Sequence, residues 1–107
     1  MLAQALDFIH ANSQYGISIR DIASASGVTP RAIQYAFREH LDTTPLEYLR
    51  QFRLERAHRE LMAADPRYDT VTAIASRCGF GHAGRFSSEY KRAFGTEPRN
   101  TLRVSEG

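Results

Sequence analysis

A short phrase occurs twice in this chain, and the duplication limits the possible folds more than any other feature. IASASGV at residues 22–28 returns as IASRCGF at residues 74–80, and further along Pro45 matches Pro98 with the spacing one residue longer. The extra residue of the second copy should lie in a turn, where insertions are tolerated. The sequence therefore predicts two similar structural units in tandem.

Each copy contains the signals of two helices joined at a glycine. In the first copy, Ser18 is a candidate N-cap with Asp21 at the capping-box position. Gly27 suits the left-handed residue that ends a helix, and Thr29 then caps a second helix that begins at Pro30. The second copy repeats the cap at Thr70 and the turn at Gly79, and Gly95 is predicted to end its second helix.

Apolar residues recur at helical intervals, and the sequence shows no alternating pattern of a strand. At the N-terminus, one helix is predicted from Leu2, Leu6 and Ile9. The second helices of the two copies have predicted apolar faces, which consist of Ile33, Ala36, Phe37 and Leu41 and of Phe86, Tyr90, Ala93 and Phe94. The predicted fold class is therefore all-α.

One long helix is predicted between the copies, with an apolar stripe of Leu46, Leu49, Leu54, Ala57 and Leu61. Arg53 falls within this stripe and should extend to solvent or pair with an acid. About 20 residues of helix span ~30 Å, which is near the ~34–36 Å between equivalent points on successive DNA turns. The helix could space two DNA-reading lobes or serve as a core helix between them. The predicted subdomains are residues 1–44, the linker helix 45–65 and residues 66–107.

The residue types exclude several classes of function. The lone cysteine, Cys78, cannot form an internal disulfide and is expected to be buried rather than reactive. The four histidines lack the spacing of a zinc site, and no phosphate-binding loop, Ser-His-Asp set or carboxylate pair stands out. We predict no catalytic residue, no metal site and no cofactor. No apolar run approaches the ~20 residues of a membrane span, so no membrane partner is expected.

Charge placement is more informative than net charge, since 14 Lys and Arg residues face 12 Asp and Glu residues for a net +2. In a helix-turn-helix, the second helix enters the major groove of DNA. In the first copy, the side of that helix opposite Ile33 carries Arg31, Gln34, Tyr35 and Arg38. Arginine suits guanine and glutamine suits adenine. This acid-free face, with Thr29 at the helix start, is predicted to bind DNA.

The corresponding helix of the second copy has fewer side chains that can distinguish bases. Its predicted DNA contacts are His82, Gly84, Arg85, Ser88 and Lys91. Small residues let a helix approach the groove closely but offer few groups to base edges. Ser87, Ser88 and the helix N-terminus can bind phosphate. The first unit is therefore predicted to supply most base discrimination, and the second to add Arg85 and backbone contacts.

The motifs resemble a known family. They are IxxIAxxxGV, TPRAIQYAFRE and TPLEYLRQFRLERAHREL, followed by VTAIASRCGFGHAGRFSSEYKRAFGTEPRNTLR. In this order they resemble the DNA-binding domain of AraC/XylS-type bacterial transcription regulators, over about residues 2–103. The resemblance implies seven helices in two helix-turn-helix lobes joined by one long helix. It also implies that two recognition helices bind successive major grooves of double-stranded DNA.

The resemblance places the base-reading positions at Arg31, Gln34 and Tyr35 and at Gly84, Arg85 and Ser88. Many members have arginine where this chain has Ser88, a departure that weakens the predicted base reading of the second unit. The family mostly activates transcription by contacting RNA polymerase and usually carries a separate sensor domain. We therefore expect a monomeric domain from a longer bacterial regulator, located in the cytoplasm at the nucleoid. A stand-alone member of the family, or a helical protein-interaction module, is the alternative.

Overall fold

The computed structural model describes residues 1–104, and within that range it consists of seven α-helices and no strand. The helices are α1 (Leu2–Asn12), α2 (Ile19–Ala25), α3 (Pro30–Leu41), α4 (Pro45–Ala63), α5 (Val71–Arg77), α6 (Ala83–Phe94) and α7 (Pro98–Val104). The predicted all-α class and the count of seven helices are confirmed.

The chain divides into two compact units at the Phe52–Arg53 bond, within α4. Unit 1 comprises α1 to α3 and the first part of α4, and unit 2 comprises the rest of α4 and α5 to α7. The role of residues 45–65 as a linker between subdomains stays a prediction.

Unit 1 buries one apolar cluster, which consists of Ala5, Ile9, Ile22, Ala23, Ile33, Phe37 and Leu49. Burial of this kind stabilises a unit by about 25 cal/mol per Å² of apolar surface. Two residues predicted for the apolar faces are instead exposed, Leu41 by 37% and Leu46 by 49%. Leu41 is the last residue of α3, and Asp42 turns the chain with a left-handed φ of 53°. Leu46 lies in the first turn of α4, where Pro45 takes the buried position.

Unit 2 buries a second cluster, which consists of Leu54, Ala57, Leu61, Ile74, Ala75, Cys78, Phe86, Tyr90 and Leu102. The prediction that Ala93 belongs to this core is wrong, because Ala93 is exposed. In the last turn of α6, the ring of Phe94 packs against the cluster, whereas the methyl group of Ala93 does not reach it. Arg53 is half-buried within the α4 stripe, and burial lowers the pKa of its guanidinium.

A chain of hydrogen bonds holds α6 against its neighbours. The hydroxyl of Tyr90, which is fully buried, lies 2.7 Å from His58 Nδ1 and 2.8 Å from Thr101 Oγ1. The His58 ring also stacks on Phe94, with ring centroids 4.2 Å apart. Burial raises the pKa of the Tyr90 hydroxyl. These contacts fix the rotation of α6 about its own axis.

An ion-pair network joins α4 to α5. Arg77 Nη2 lies 2.7 Å from Asp69 Oδ2 and 3.1 Å from Glu60 Oε1. Glu60 Oε2 accepts from Arg56 Nε at 3.2 Å and from Cys78 Sγ at 3.3 Å. Burial by itself raises the pKa of Glu60, but hydrogen bonds from the thiol and two arginines outweigh it and lower that pKa. The hydrogen bond from Arg77 lowers the pKa of Asp69.

The lowered pKa values of Glu60 and Asp69 predict how the free energy of unfolding changes in acid. The two carboxylates stabilise the fold above the ordinary carboxyl pKa of about 4. The contribution is lost as the pH falls through their lowered pKa values. Replacing Arg77 by Ala should lower the free energy of unfolding by about 1 kcal/mol at neutral pH, a modest figure because solvent screens the half-exposed guanidinium. The variant should also lose less stability than the wild type on acidification.

Urea unfolding of the whole chain, repeated between about pH 6 and about pH 2, measures both effects. Arg59→Ala is a suitable control, because it removes an exposed arginine of α4 outside this network. An acid dependence of Arg77→Ala equal to that of the wild type would show that the network does not contribute.

Candidate nucleic-acid interface

The first helix-turn-helix is built by local sequence signals. Ser18 Oγ accepts from the backbone N–H of Asp21 at 3.2 Å, and the Asp21 carboxylate accepts from the Ser18 N–H at 2.8 Å. Gly27 has a φ of 71° in the turn, which a residue with a side chain rarely adopts. Thr29 Oγ1 then accepts from the Ala32 N–H at 3.2 Å and begins α3. The predicted caps and turn of the first copy are thereby confirmed.

The outer face of α3 carries all four residues that the sequence analysis assigned to it: Arg31, Gln34, Tyr35 and Arg38. All are exposed, Tyr35 by 69%, whereas the opposite side of the helix is buried through Ile33, Ala36 and Phe37. No side chain of the four makes a hydrogen bond or an ion pair with another residue in the range 1–104. Two guanidiniums, a carboxamide and a phenol are therefore available together for an external partner.

The start of α6 is capped by a histidine. His82 Nδ1 accepts from the backbone N–H of Arg85 at 3.2 Å, so the ring proton lies on Nε2. A Cβ at Gly84 would lie 3.3 Å from His82 Cε1, closer than most such contacts. Gly84 therefore leaves room for the capping ring. His82 was predicted as a DNA contact and not as a cap, because histidine is not one of the usual capping residues.

The outer face of α6 is exposed at each predicted position, but its polar side chains are partly engaged. Ser88 Oγ donates to the carbonyl of Gly84 at 3.2 Å. Lys91 Nζ lies 3.6 Å from Glu97 Oε1. The side chain of Arg85 makes no hydrogen bond or ion pair with any residue from 1 to 104. Of the five predicted residues of unit 2, Arg85 is thus the one whose charge is fully available.

The ten predicted contact residues therefore form two exposed sets, one at α3 in unit 1 and one at α6 in unit 2. The prediction omitted Arg99, an exposed residue in the first turn of α7. Arg99 lines a cleft of about 300 Å³ together with Ser87 of α6. The repeat could have pointed to this turn, since Pro98 matches the Pro45 that begins α4.

The described part of the chain gives little support to a reactive cysteine, a metal site or a membrane-spanning helix. Burial raises the pKa of the Cys78 thiol to about 12, so the thiol is protonated and a poor nucleophile. Among residues 1–104, no group of three or more His, Cys, Asp or Glu side chains could hold a metal ion. Over the same residues, each helix is too short or too polar to cross a membrane.

Three comparisons with known proteins agree with one another. The sequence model of a helix-turn-helix domain family matches residues 22–103. A probable thc operon regulatory protein of Rhodococcus erythropolis is 40% identical over 100 residues, which are 94% of this chain and 30% of that protein. A XylDLEGF operon transcriptional activator of Pseudomonas putida is 35% identical over 94% of this chain and 31% of its own length. The chain thus spans less than a third of these relatives.

A solved structure has the same architecture. It is a transcriptional regulator from Chromobacterium violaceum, described as containing an AraC-type DNA-binding domain. It is 31% identical in sequence and superposes with a TM-score of 0.87, over 97% of this chain and 90% of that one.

Proposed function

Because the chain belongs to the helix-turn-helix domain family of AraC-type transcription regulators, we propose that it binds double-stranded DNA sequence-specifically through α3 and α6. The two helices would enter successive major grooves of one duplex. Family membership confirms the resemblance seen in the motifs. It also confirms that the chain is not an enzyme, since the family consists of transcription regulators.

One observation carries the proposal: the exposed face of α3, on which Arg31, Gln34, Tyr35 and Arg38 have no partner among residues 1–104. An arginine fork bonds guanine O6 and N7, and a glutamine amide bonds adenine N6 and N7. Cationic side chains already paired within the protein would have to break those pairs before binding. These four can bind DNA without such a cost.

Unit 2 should contribute less base discrimination than unit 1. Its face presents Arg85 to base edges, while Ser88 is bonded to its own helix and Lys91 is paired with Glu97. The cap at His82 and the small Gly84 would let α6 approach the groove closely. Helix α4 would set the spacing of the two units along the duplex.

The activity of the whole regulator is a further part of the proposal. The Pseudomonas putida relative is named as a transcriptional activator, which supports activation by a longer protein. Contact of that protein with RNA polymerase is what the family resemblance implies. We expect the domain itself to be monomeric, because each unit buries its own apolar cluster. A protein that binds chromosomal DNA would be located in the bacterial cytoplasm at the nucleoid.

Binding of the chain to a random pool of duplexes across a range of salt concentrations tests the proposal. Neutralising several phosphates releases counterions, so the affinity should fall at least about 100-fold between about 50 and about 200 mM salt. A protein-interaction module would show weak binding without this steep dependence, and that result would reject DNA binding.

A further inference from the structure

A cleft lies beside the recognition helix of unit 2, and of its lining residues only Ser87 was predicted from the sequence to bind phosphate. The cleft has a volume of about 300 Å³ and is lined by Val71, Ser87, Glu97, Pro98 and Arg99. Ser87 lies one residue before Ser88 of the outer face, which at 100° per residue places it on a flank of α6. The cleft therefore borders the surface that is proposed to enter the groove.

Two polar groups of the cleft are available to a ligand. The Arg99 side chain is exposed and makes no hydrogen bond or ion pair with another residue of the described range. The Ser87 hydroxyl also has no hydrogen-bond partner within residues 1–104, unlike Ser88, whose hydroxyl donates to Gly84 O at 3.2 Å. A guanidinium and a hydroxyl donor are groups that commonly bind backbone phosphates.

The other charged residue of the cleft, Glu97, opposes the binding of an anion, and a neighbouring lysine limits its effect. Its Oε1 atom lies 3.6 Å from Lys91 Nζ. Lys91 and Arg99 against Glu97 leave one net positive charge at the cleft. Lys91 was predicted as a DNA contact, but in the structure Arg99 is the cation whose guanidinium makes no ion pair within residues 1–104.

We propose that this cleft holds one phosphate of the DNA backbone, with Arg99 as its charge partner and Ser87 as a hydrogen-bond donor. The inference rests on the proposed function, because the phosphate is that of a duplex bound by α6. A contact of this kind fixes the orientation of α6 in the groove and carries no base information.

The affinity of the whole chain for a random duplex and for a selected duplex, measured across salt concentrations, tests the assignment. Arg99→Ala should bind both duplexes several-fold more weakly, and its salt slope should be shallower by about 0.9, the value for one phosphate contact. Ser87→Ala should weaken both by a smaller factor. Glu97→Gln should strengthen both, because it removes the opposing charge and releases Lys91.

The matched control is Arg103→Ala. Arg103 is an exposed arginine of the same helix, donates to Asn100 Oδ1 at 2.8 Å and does not line the cleft. If Arg99→Ala and Arg103→Ala have equal affinities and slopes, the cleft assignment is overturned while DNA binding stands. If the wild type shows no steep salt dependence on any duplex, the proposed function fails as well.

The source of the phosphate is tested separately. Inorganic phosphate is added to the free protein at fixed ionic strength, and the amide resonance of Ser87 is followed. Weak, non-saturating shifts agree with a backbone site, which binds tightly only as part of a duplex. Saturation at micromolar concentration would identify a free-phosphate site and overturn the assignment.

Discussion

Inserting two alanines between Phe52 and Arg53 should lower the affinity for a two-part DNA site by about 100-fold or more. Two residues turn the following part of a helix by about 200°. One recognition helix would then lose its groove, and the loss of several base contacts at about 1–3 kcal/mol each gives this magnitude. The insertion point divides the two units, so the apolar cluster of each remains within its own segment.

A two-residue insertion between Arg67 and Tyr68 is the control. These exposed residues lie in the loop after α4, where added length leaves the α4 register unchanged. The control should bind the two-part site almost as the wild type does, and both variants should keep their affinity for a duplex with the first half-site alone. Unchanged binding of the two-part site by the α4 insertion would refute the spacing role of this helix.

Replacing Arg31 or Gln34 by Ala should cost about 1–3 kcal/mol of binding free energy on the preferred site. The same change should matter much less on unrelated duplexes, because a side chain that reads a base edge adds affinity only where the matching base is present. The measurement is a set of affinities for duplexes with each position of the site changed in turn. The base preference should disappear at one position in each variant.

Arg59→Ala again serves as the control, since it removes one exposed arginine outside the proposed interface. It should lower affinity slightly and equally on all duplexes. A uniform loss for Arg31→Ala, of the same size as for Arg59→Ala, would mean that Arg31 contributes only its charge.

Local signals in the sequence correctly predicted the starts of α2, α3 and α5 and the two glycine turns. Ser18, Thr29 and Thr70 all accept from the backbone N–H three residues on, and Gly27 and Gly79 have positive φ values in the two turns. Such features depend on a few neighbouring residues, so the sequence contains nearly all the information that determines them.

Periodicity predicted the centres of the buried faces but failed near helix ends. Leu41, Leu46 and Ala93 have the right spacing and are exposed. Whether a residue at the end of a helix is buried depends on what the adjoining turn brings over it, and spacing along one helix does not contain that information. The left-handed turn at Asp42 was not predicted, because no glycine marks it in the sequence.

The residue types of the candidate interface could be predicted, whereas their partners could not. Thr29 and the four residues of the α3 face, like the five of unit 2, lie exposed where the helical pattern puts them. That Lys91 is paired with Glu97 follows from the turn between α6 and α7, which brings together residues on either side of Gly95. The Glu60–Arg77 pair joins residues 17 positions apart and has no local signal.

Sequencing of duplexes selected from a random pool by the wild-type chain and by Arg31→Ala tests whether the two units read DNA as two half-sites. We expect a motif in two parts, centred about one DNA turn apart. Base preference should be stronger in one part, and Arg31→Ala should weaken that part. A pool without any enriched sequence, or two equally strong parts that Arg31→Ala leaves unchanged, would rule out sequence reading by α3 and α6.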